Sequence, residues 1–213
     1  MIKLIAIKIM FFAFVLFMSV SANAAEKKTI LAFGDSLMAG YGLDTEDSFT
    51  VQLENTLKAS GADVSVINAG VSGDTSSGGF ARLEWVLASQ ENLDLVIVEF
   101  GGNDALRGIH PDITRRSMDK MLAILQTKKI PTMIAGMIAP PNLGPIYGEQ
   151  FNSIYSDLAE KYNVPLYPFF LDGVAGILEL NQPDTIHPNK KGVGIITQRL
   201  APFIIEVLNG TAD

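Results

Sequence analysis

The run of residues 93–100, LDLVIVEF, constrains the fold more than any other segment of this chain. Apart from Asp94 and Glu99 every residue in it is apolar, so a strand formed here is apolar on both faces. Such strands are buried between helices, as in parallel α/β sheets. The run therefore predicts an interior strand of a parallel sheet.

Other apolar runs alternate with helix-period segments along the chain. Strands are predicted at 29–33, 64–67, 93–100, 131–138 and 164–170, and helices at 46–60, 80–89, 112–129, 149–162 and 190–208. Strands separated by helices of this length predict βαβ units. We therefore expect one α/β domain with helices on both faces of the sheet.

The first 24 residues have the pattern of a secretory signal peptide. Two lysines precede an apolar run at 9–20, and Ala22-Asn23-Ala24 supplies a cleavage site. An uncleaved anchor is the alternative, although the run is shorter than the roughly 20 residues of a spanning helix. We expect cleavage after Ala24 or Ala25, one domain over 25–213, and export. The product would be periplasmic in a Gram-negative bacterium and otherwise extracellular.

The composition of the 189 residues after the predicted signal peptide argues against several classes of partner and site. These residues carry 14 basic and 23 acidic side chains, a net charge of −9, which argues against a nucleic-acid partner. The chain has no cysteine, which excludes a thiol nucleophile and cysteine-bound metal. Only His110 and His187 supply imidazoles, so a histidine-rich zinc site is not expected.

Small polar clusters follow the predicted strands or precede the last helix. They are Gly34-Asp35-Ser36-Leu37, the segment 68–75, Gly101-Gly102-Asn103-Asp104, and Asp184-Thr185-Ile186-His187-Pro188. Ligands of open α/β sheets bind outside the carboxyl ends of the strands. We therefore expect the four clusters to converge on one edge of the sheet.

These clusters contain the groups that serine catalysis needs. Considered without the other clusters, Ser36 is compatible with either a turn serine or a nucleophile. A nucleophilic serine requires a base and a group that orients the base. His187 is the candidate base, and Asp184, three residues earlier, is the candidate orienting acid. Seen alone, Asp-x-x-His-Pro is also compatible with a loop that caps the next helix.

Donors for an oxyanion are available in the same clusters. Backbone N–H groups of glycine-rich turns can approach a substrate closely, which suits Ser36 and Gly73. Asn103 adds a side-chain amide, although an ordinary turn asparagine is the alternative. His110 lies ahead of a helix with Asp112 nearby, and we interpret it as a surface histidine rather than a second base.

Together, the four blocks in this order resemble the SGNH, or GDSL, hydrolase superfamily, and most closely its secreted bacterial thioesterase I/lysophospholipase/arylesterase branch. The resemblance implies a flavodoxin-like three-layer α/β/α sandwich with a five-stranded parallel sheet. It implies that Ser36 is the nucleophile, His187 the base and Asp184 the orienting acid. It also implies oxyanion donors from Ser36, Gly73 and Asn103.

The resemblance further suggests where the substrate binds. In this branch, the segment from Ala105 to Pro111 would move over the acyl chain, and the proline-rich loop from Ala139 to Tyr147 would wall the acyl groove.

We therefore expect a secreted serine esterase that hydrolyses acyl esters and thioesters. It would need no metal or organic cofactor, would be a monomer and would not remain inserted in a membrane. One alternative keeps the triad but acts as a deacetylase of acetylated polysaccharides. A second is a non-catalytic binding module that retains the serine block for structure.

Overall fold

A computed structural model describes residues 27–212 of the chain, so the predicted signal peptide lies outside the described residues. Within this range the chain forms a five-stranded parallel sheet in the order β2-β1-β3-β4-β5. The strands are β1 (Lys28–Gly34), β2 (Val64–Gly70), β3 (Leu95–Glu99), β4 (Thr132–Ala135) and β5 (Leu166–Tyr167). The predicted α/β fold with an all-parallel sheet is confirmed.

Helices connect the strands and cover both faces of the sheet. They are α1 (Ser36–Ala39), α2 (Phe49–Ala59), α3 (Ser76–Ala88), α4 (Gly102–Leu106), α5 (Pro111–Thr127), α6 (Pro145–Tyr162) and α7 (Lys190–Leu208). Helices α2 and α7 pack together, whereas α3, α5 and α6 form a second group. The sheet between them is a dry core, in which every residue of β3 is buried.

Some boundaries differ from the sequence prediction. Helix α3 begins at Ser76 rather than residue 80, because the Thr75 side chain caps it by accepting a hydrogen bond from the Gly78 N–H. Helix α6 begins at Pro145 rather than residue 149, since proline suits the first helical turn. The predicted loop 139–147 is therefore partly helical.

The last two strands are shorter than predicted. Residues 131–138 and 164–170 are apolar enough to read as strands, but backbone pairing limits β4 to four residues and β5 to two. Helices α1 and α4 were not predicted, because four or five residues are too few to show a helical period. Both short helices follow directly on strands that lead into the polar clusters.

The strand order determines where those clusters meet. From β1 the chain passes to β2 on one side and then to β3 on the other, so the order reverses between β1 and β3. Crevices at such a reversal are the usual binding sites of open α/β sheets. Within the described range, no helix is both long and apolar enough to cross a membrane.

Candidate active site

Ser36 is the first residue of α1, immediately beyond β1. Asp35 caps this short helix by accepting the Leu37 N–H at 3.0 Å. The cap turns the chain sharply at the end of the strand and leaves Ser36 only 7% exposed. Its Oγ lies 2.9 Å from His187 Nε2, within hydrogen-bonding distance.

His187 is held by a turn that Asp184 organises. Asp184 Oδ1 accepts the backbone N–H groups of Ile186 at 2.9 Å and of His187 at 3.0 Å. Its Oδ2 lies 2.7 Å from His187 Nδ1. A proton on Nδ1 facing this carboxylate leaves Nε2 free to accept the Ser36 hydroxyl proton. The three residues thus form a continuous Ser–His–Asp chain.

The Asp184 carboxylate is stabilised in its charged form. Partial burial opposes ionisation, but hydrogen bonds from the His187 N–H and ring and from the Ile186 N–H outweigh it. Together they lower the pKa of Asp184 from 3.8 to about 2. Asp184 is therefore an anion at neutral pH.

Two further residues position the histidine, and sequence reasoning missed both. Gln182 donates its side-chain amide to the carbonyls of Tyr41 at 2.8 Å and Pro188 at 3.0 Å, and its backbone N–H donates to the His187 carbonyl at 2.7 Å. The Tyr41 ring packs against the imidazole with centroids 4.6 Å apart. Gln182 thus links the serine loop to the histidine loop, a contact between segments 141 residues apart.

The three predicted oxyanion donors lie on neighbouring strand ends. Asn103 is in α4, and its amide Nδ2 donates one proton to Asp35 Oδ2 at 2.9 Å. Gly73 follows β2 in a left-handed conformation, with φ of 81°. Arg107 holds this turn by donating to the Gly73 carbonyl at 2.6 Å. The β1, β2 and β3 ends therefore each contribute one candidate donor.

Several polar residues near the site have structural partners. Asp74 pairs with Arg82 at 2.7 Å, and Asp104 accepts hydrogen bonds from Ser76 and Thr114. The exposed His110 caps α5, where its Nδ1 accepts the Asp112 N–H at 3.3 Å. None of these three residues joins the Ser–His–Asp chain.

A groove of about 600 Å³ opens beside Ser36 and His187. Its apolar walls come from four parts of the chain: α1, α4, the segment after β4 and the segment after β5. They include Leu106, Met137, Ile138, Pro140, Pro141, Leu171 and Ile186. A recess of about 10 Å³ near Tyr41 lies on another side of Ser36 and is no larger than one water molecule.

The groove involves parts of both segments that the sequence singled out. Ala105 and Leu106 line it from the first segment, and Ala139, Pro140 and Pro141 line it from the second. Pro111 instead begins α5, and Tyr147 lies in α6, where its hydroxyl donates to the Ile109 carbonyl at 2.8 Å. In the part of the chain that is described, no cluster of three or more His, Asp or Glu side chains could hold a metal ion.

Comparison with known proteins identifies related sequences. The profile of the GDSL-like lipase/acylhydrolase family matches residues 32–195. Esterase TesA of Pseudomonas aeruginosa is 41% identical over 164 residues, which cover 77% of this chain and 81% of that protein. The Escherichia coli K12 protein named thioesterase 1/protease 1/lysophospholipase L1 is 35% identical over 198 residues, covering 93% of this chain and 92% of that one.

A solved structure has the same architecture. The crystal structure of AlinE4, described as an SGNH-hydrolase family esterase, superimposes with a TM-score of 0.73 at 47% sequence identity. The match covers 86% of this chain and 97% of AlinE4.

Proposed function

The chain belongs to the GDSL-like lipase/acylhydrolase family and hydrolyses esters, and we propose that Ser36, His187 and Asp184 carry out this reaction. One observation supports the proposal above all others. An unbroken chain of contacts, 2.9 Å and 2.7 Å long, links the Ser36 hydroxyl through His187 to Asp184 beside an apolar groove.

The first half of the reaction forms an acyl-enzyme. Ser36 Oγ attacks the carbonyl carbon of the substrate while its proton passes to His187 Nε2. The Asp184 carboxylate stabilises the resulting imidazolium through Nδ1. When the tetrahedral intermediate collapses, His187 returns the proton to the leaving alcohol or thiol, and the acyl group stays on Ser36.

The oxyanion of the intermediate is bound by the N–H groups of Ser36 and Gly73 and by the Asn103 side chain. One Nδ2 proton of Asn103 is engaged by Asp35, which leaves the second for the substrate. Water then attacks the acyl-enzyme with His187 as its base, and the acid is released. No step in this sequence requires a metal or organic cofactor.

The groove walls favour an apolar acyl group. A hydrocarbon chain would be removed from water against Leu106, Ile138 and Ile186, which is worth about 0.8 kcal/mol for each buried CH₂. We therefore propose small to medium acyl chains, carried on aryl or alkyl esters, on thioesters or on lysophospholipids. The groove has few polar side chains to bind a sugar, so the polysaccharide deacetylase remains the weaker alternative.

The leader-like segment supports a proposal on location and state. We propose that residues 1–24 direct export and are removed, and that the product acts as a monomer that is not inserted in the membrane. Mass spectrometry of the exported chain would show a product that begins at Ala25 or Glu26. An exported chain that retained Met1 would contradict removal.

Replacing the nucleophile tests the proposed chemistry. We expect Ser36→Ala to lose at least about 10⁴-fold in kcat on p-nitrophenyl butyrate, because no other group can form the acyl-enzyme. Ser156→Ala, an exposed serine of α6, is the matched control and should keep wild-type activity. A fluorophosphonate should label the wild type and the control but not Ser36→Ala.

The same assay decides between the alternatives. Rates on acetylated xylan, lysophosphatidylcholine and p-nitrophenyl butyrate would separate a deacetylase from an acyl esterase. Full activity of Ser36→Ala would contradict the assigned nucleophile, and failure of the wild type to react with a fluorophosphonate would favour a binding module.

A further inference from the structure

Two carboxyl groups are buried beside the nucleophile, and neither of them transfers a proton or contacts the reacting atoms in the proposed reaction. Asp35 precedes Ser36 and is 1% exposed, and Glu99 ends β3 and is 0% exposed. The Asp35 N–H points to Glu99 Oε2 at 3.5 Å. Among the described residues, Glu99 Oε1 is the one buried side-chain oxygen or nitrogen without a hydrogen-bond partner.

Room for the Glu99 carboxyl depends on a glycine. A Cβ at Gly34, the first residue of the GDSL sequence, would lie 2.7 Å from Glu99 Oε2 and 2.6 Å from the Glu99 carbonyl oxygen. Gly34 and Glu99 are direct partners across β1 and β3. The glycine therefore allows a buried acid to lie directly against the strand that carries the nucleophile.

Both carboxyl groups are buried and interact side chain to side chain, so ionising both of them is strongly unfavourable. Asp35 has two good donors, the Leu37 N–H at 3.0 Å and Asn103 Nδ2 at 2.9 Å. Glu99 accepts one long contact, from the Asp35 N–H, and its carboxyl interacts side chain to side chain with that of Asp35. Burial raises the pKa of both groups, and that of Glu99 more strongly, so the negative charge belongs on Asp35 and the proton on Glu99.

The protonation of Glu99 agrees with its surroundings. Burial, and then the neighbouring charge of Asp35, raises the pKa of Glu99 well above its ordinary value of 4.5. An unpartnered oxygen such as Oε1 costs much less on a neutral acid than on a carboxylate.

Other ionisable groups near the pair do not supply a compensating cation to Glu99. They are the Tyr155 hydroxyl from α6, Asp104 from α4, Arg82 from α3 and His187 from the loop before α7. Tyr155 donates to the Phe100 carbonyl, and Arg82 is engaged by Asp74 and by the carbonyls of Ala69 and Gly34. The positive charge of a protonated His187 would attract the Asp35 carboxylate and favour its ionised form.

The charge on Asp35 fixes the orientation of Asn103. A carboxylate at Asp35 Oδ2 requires the NH₂ end of the Asn103 amide, because the flipped amide would place two oxygens against each other. On the basis of the role proposed above for Asn103, we propose that Glu99 is a positioning residue. As a neutral acid, Glu99 donates a hydrogen bond to Asp35, and Asp35 in turn holds the Asn103 amide toward the oxyanion. A second charge at Glu99 would repel Asp35 and release Asn103.

Two substitutions at Glu99 separate this role from simple packing. Glu99→Gln keeps the shape, stays neutral and can donate an amide N–H to Asp35, whereas Glu99→Met has similar length but no donor. On p-nitrophenyl butyrate at pH 7 we expect kcat of Glu99→Gln within about 3-fold of wild type. We expect Glu99→Met to lose about 10- to 100-fold in kcat with little change in KM, because the oxyanion is bound in the transition state.

The pH dependence gives a second readout. The wild-type kcat should fall at alkaline pH as Glu99 ionises, and Glu99→Gln should lack this decline. The exposed Glu84→Gln of α3 is the matched control and should keep the wild-type profile. Loss of kcat by Glu99→Gln equal to that of Glu99→Met, or full kcat in Glu99→Met, would overturn the proposal.

The folding stability of the wild type should also fall as the pH rises. A pKa raised in the folded state means that the wild type loses stability as the pH rises above 4.5, the ordinary value of an unfolded glutamate. Glu99→Gln has no such loss, so its Tm relative to that of the wild type should rise as the pH increases above 4.5. A constant difference would contradict a raised pKa.

Carbon-13 NMR of protein labelled at the glutamate carboxyl carbons reads the proton directly. At pH 7 we expect one signal at the position of a protonated carboxyl, absent from Glu99→Gln. An ionised Glu99 signal would overturn the proposal even if Glu99→Met does not fold. This measurement does not depend on enzymatic activity. If the wild type showed the protonated signal but were inactive, the proposed function would be contradicted and the protonation of Glu99 would not.

Discussion

At the scale of single residues, Asp184 combines two tasks in one carboxylate. One oxygen closes the turn by accepting two backbone N–H groups, and the other faces the imidazole of His187 at 2.7 Å. A spacing of three residues suffices because the turn brings the side chain back over its own backbone. The same group therefore determines both the conformation of the loop and the orientation of the His187 imidazole.

Asp184→Asn should separate the charge from the turn. The amide oxygen can still accept the backbone N–H groups, but the imidazolium loses its stabilising anion, so we expect kcat to fall by about 10²- to 10⁴-fold with little change in KM. Steady-state kinetics on p-nitrophenyl butyrate measures this. Asp157→Asn, which removes an exposed carboxylate of α6, is the control and should be fully active.

The same variant has a signature at acid pH. Because the pKa of Asp184 is lowered to about 2, its contribution to stability is complete above 3.8 and is lost as the pH falls through about 2. The Tm difference between wild type and Asp184→Asn should therefore shrink over that window. A difference that persisted unchanged at pH 2 would contradict the lowered pKa.

At the scale of elements, two helices show that the sequence alone does not reveal whether a glycine is required for packing. Gly79 is buried in the first turns of α3, where a Cβ would lie 2.3 Å from the Phe100 ring. Gly148 occupies the first turns of α6, and a Cβ there would meet no atom within 4 Å. Close packing of α3 against β3 requires the first glycine, and nothing in α6 requires the second.

Alanine at these positions should have opposite effects on stability. Gly79→Ala forces the helix away from Phe100, and we expect a loss of about 1–3 kcal/mol in the free energy of unfolding. Gly148→Ala should gain about 0.5–1 kcal/mol, because alanine favours the helix where there is space for it. Urea unfolding of both variants measures this pair, and equal effects would contradict the packing explanation.

At the scale of the whole molecule, the groove is built from segments that are far apart in the chain. Leu106 follows β3, Ile138 follows β4 and Ala175 follows β5, and only the order of the strands places them around one space. We therefore expect acyl-chain preference to depend on these connections together. The reaction as proposed depends on the ends of β1 to β3 and on the loop before α7.

Filling the groove should change chain-length preference without changing the chemistry. Ala175 is exposed on the wall, so Ala175→Phe should lower kcat/KM for decanoyl esters by about 10- to 100-fold. Acetyl and butyryl esters should change by less than about 3-fold, because short acyl chains bury less surface against the groove wall. Ala88→Phe, at an exposed site in α3, is the control. An equal loss for all chain lengths would contradict this assignment of the acyl groove.

Much of the architecture follows from local patterns. The doubly apolar run 93–100 predicted an interior strand because both of its faces must be covered, and β3 is fully buried. Ser36 was identifiable as a candidate because it follows a predicted strand, where a parallel sheet places ligands, and Asp184 and His187 because they form a polar cluster just before the last predicted helix. Helices α1 and α4 and the true start of α3 escaped prediction, since short or glycine-containing helices show no period.

The sequence by itself determined the fold class and identified Ser36, Asp184 and His187 as the candidate reactive residues. Tertiary structure alone decided which distant residues touch: it brings Gln182 against Tyr41, Asn103 against Asp35, and Glu99 into the space beside Gly34. The physical reason is that apolar periodicity is a local property of the chain, whereas a hydrogen bond between distant segments depends on how the strands are ordered. The protonation of Glu99 depends on tertiary structure most of all, because it arises only where two strands bury two carboxyl groups together.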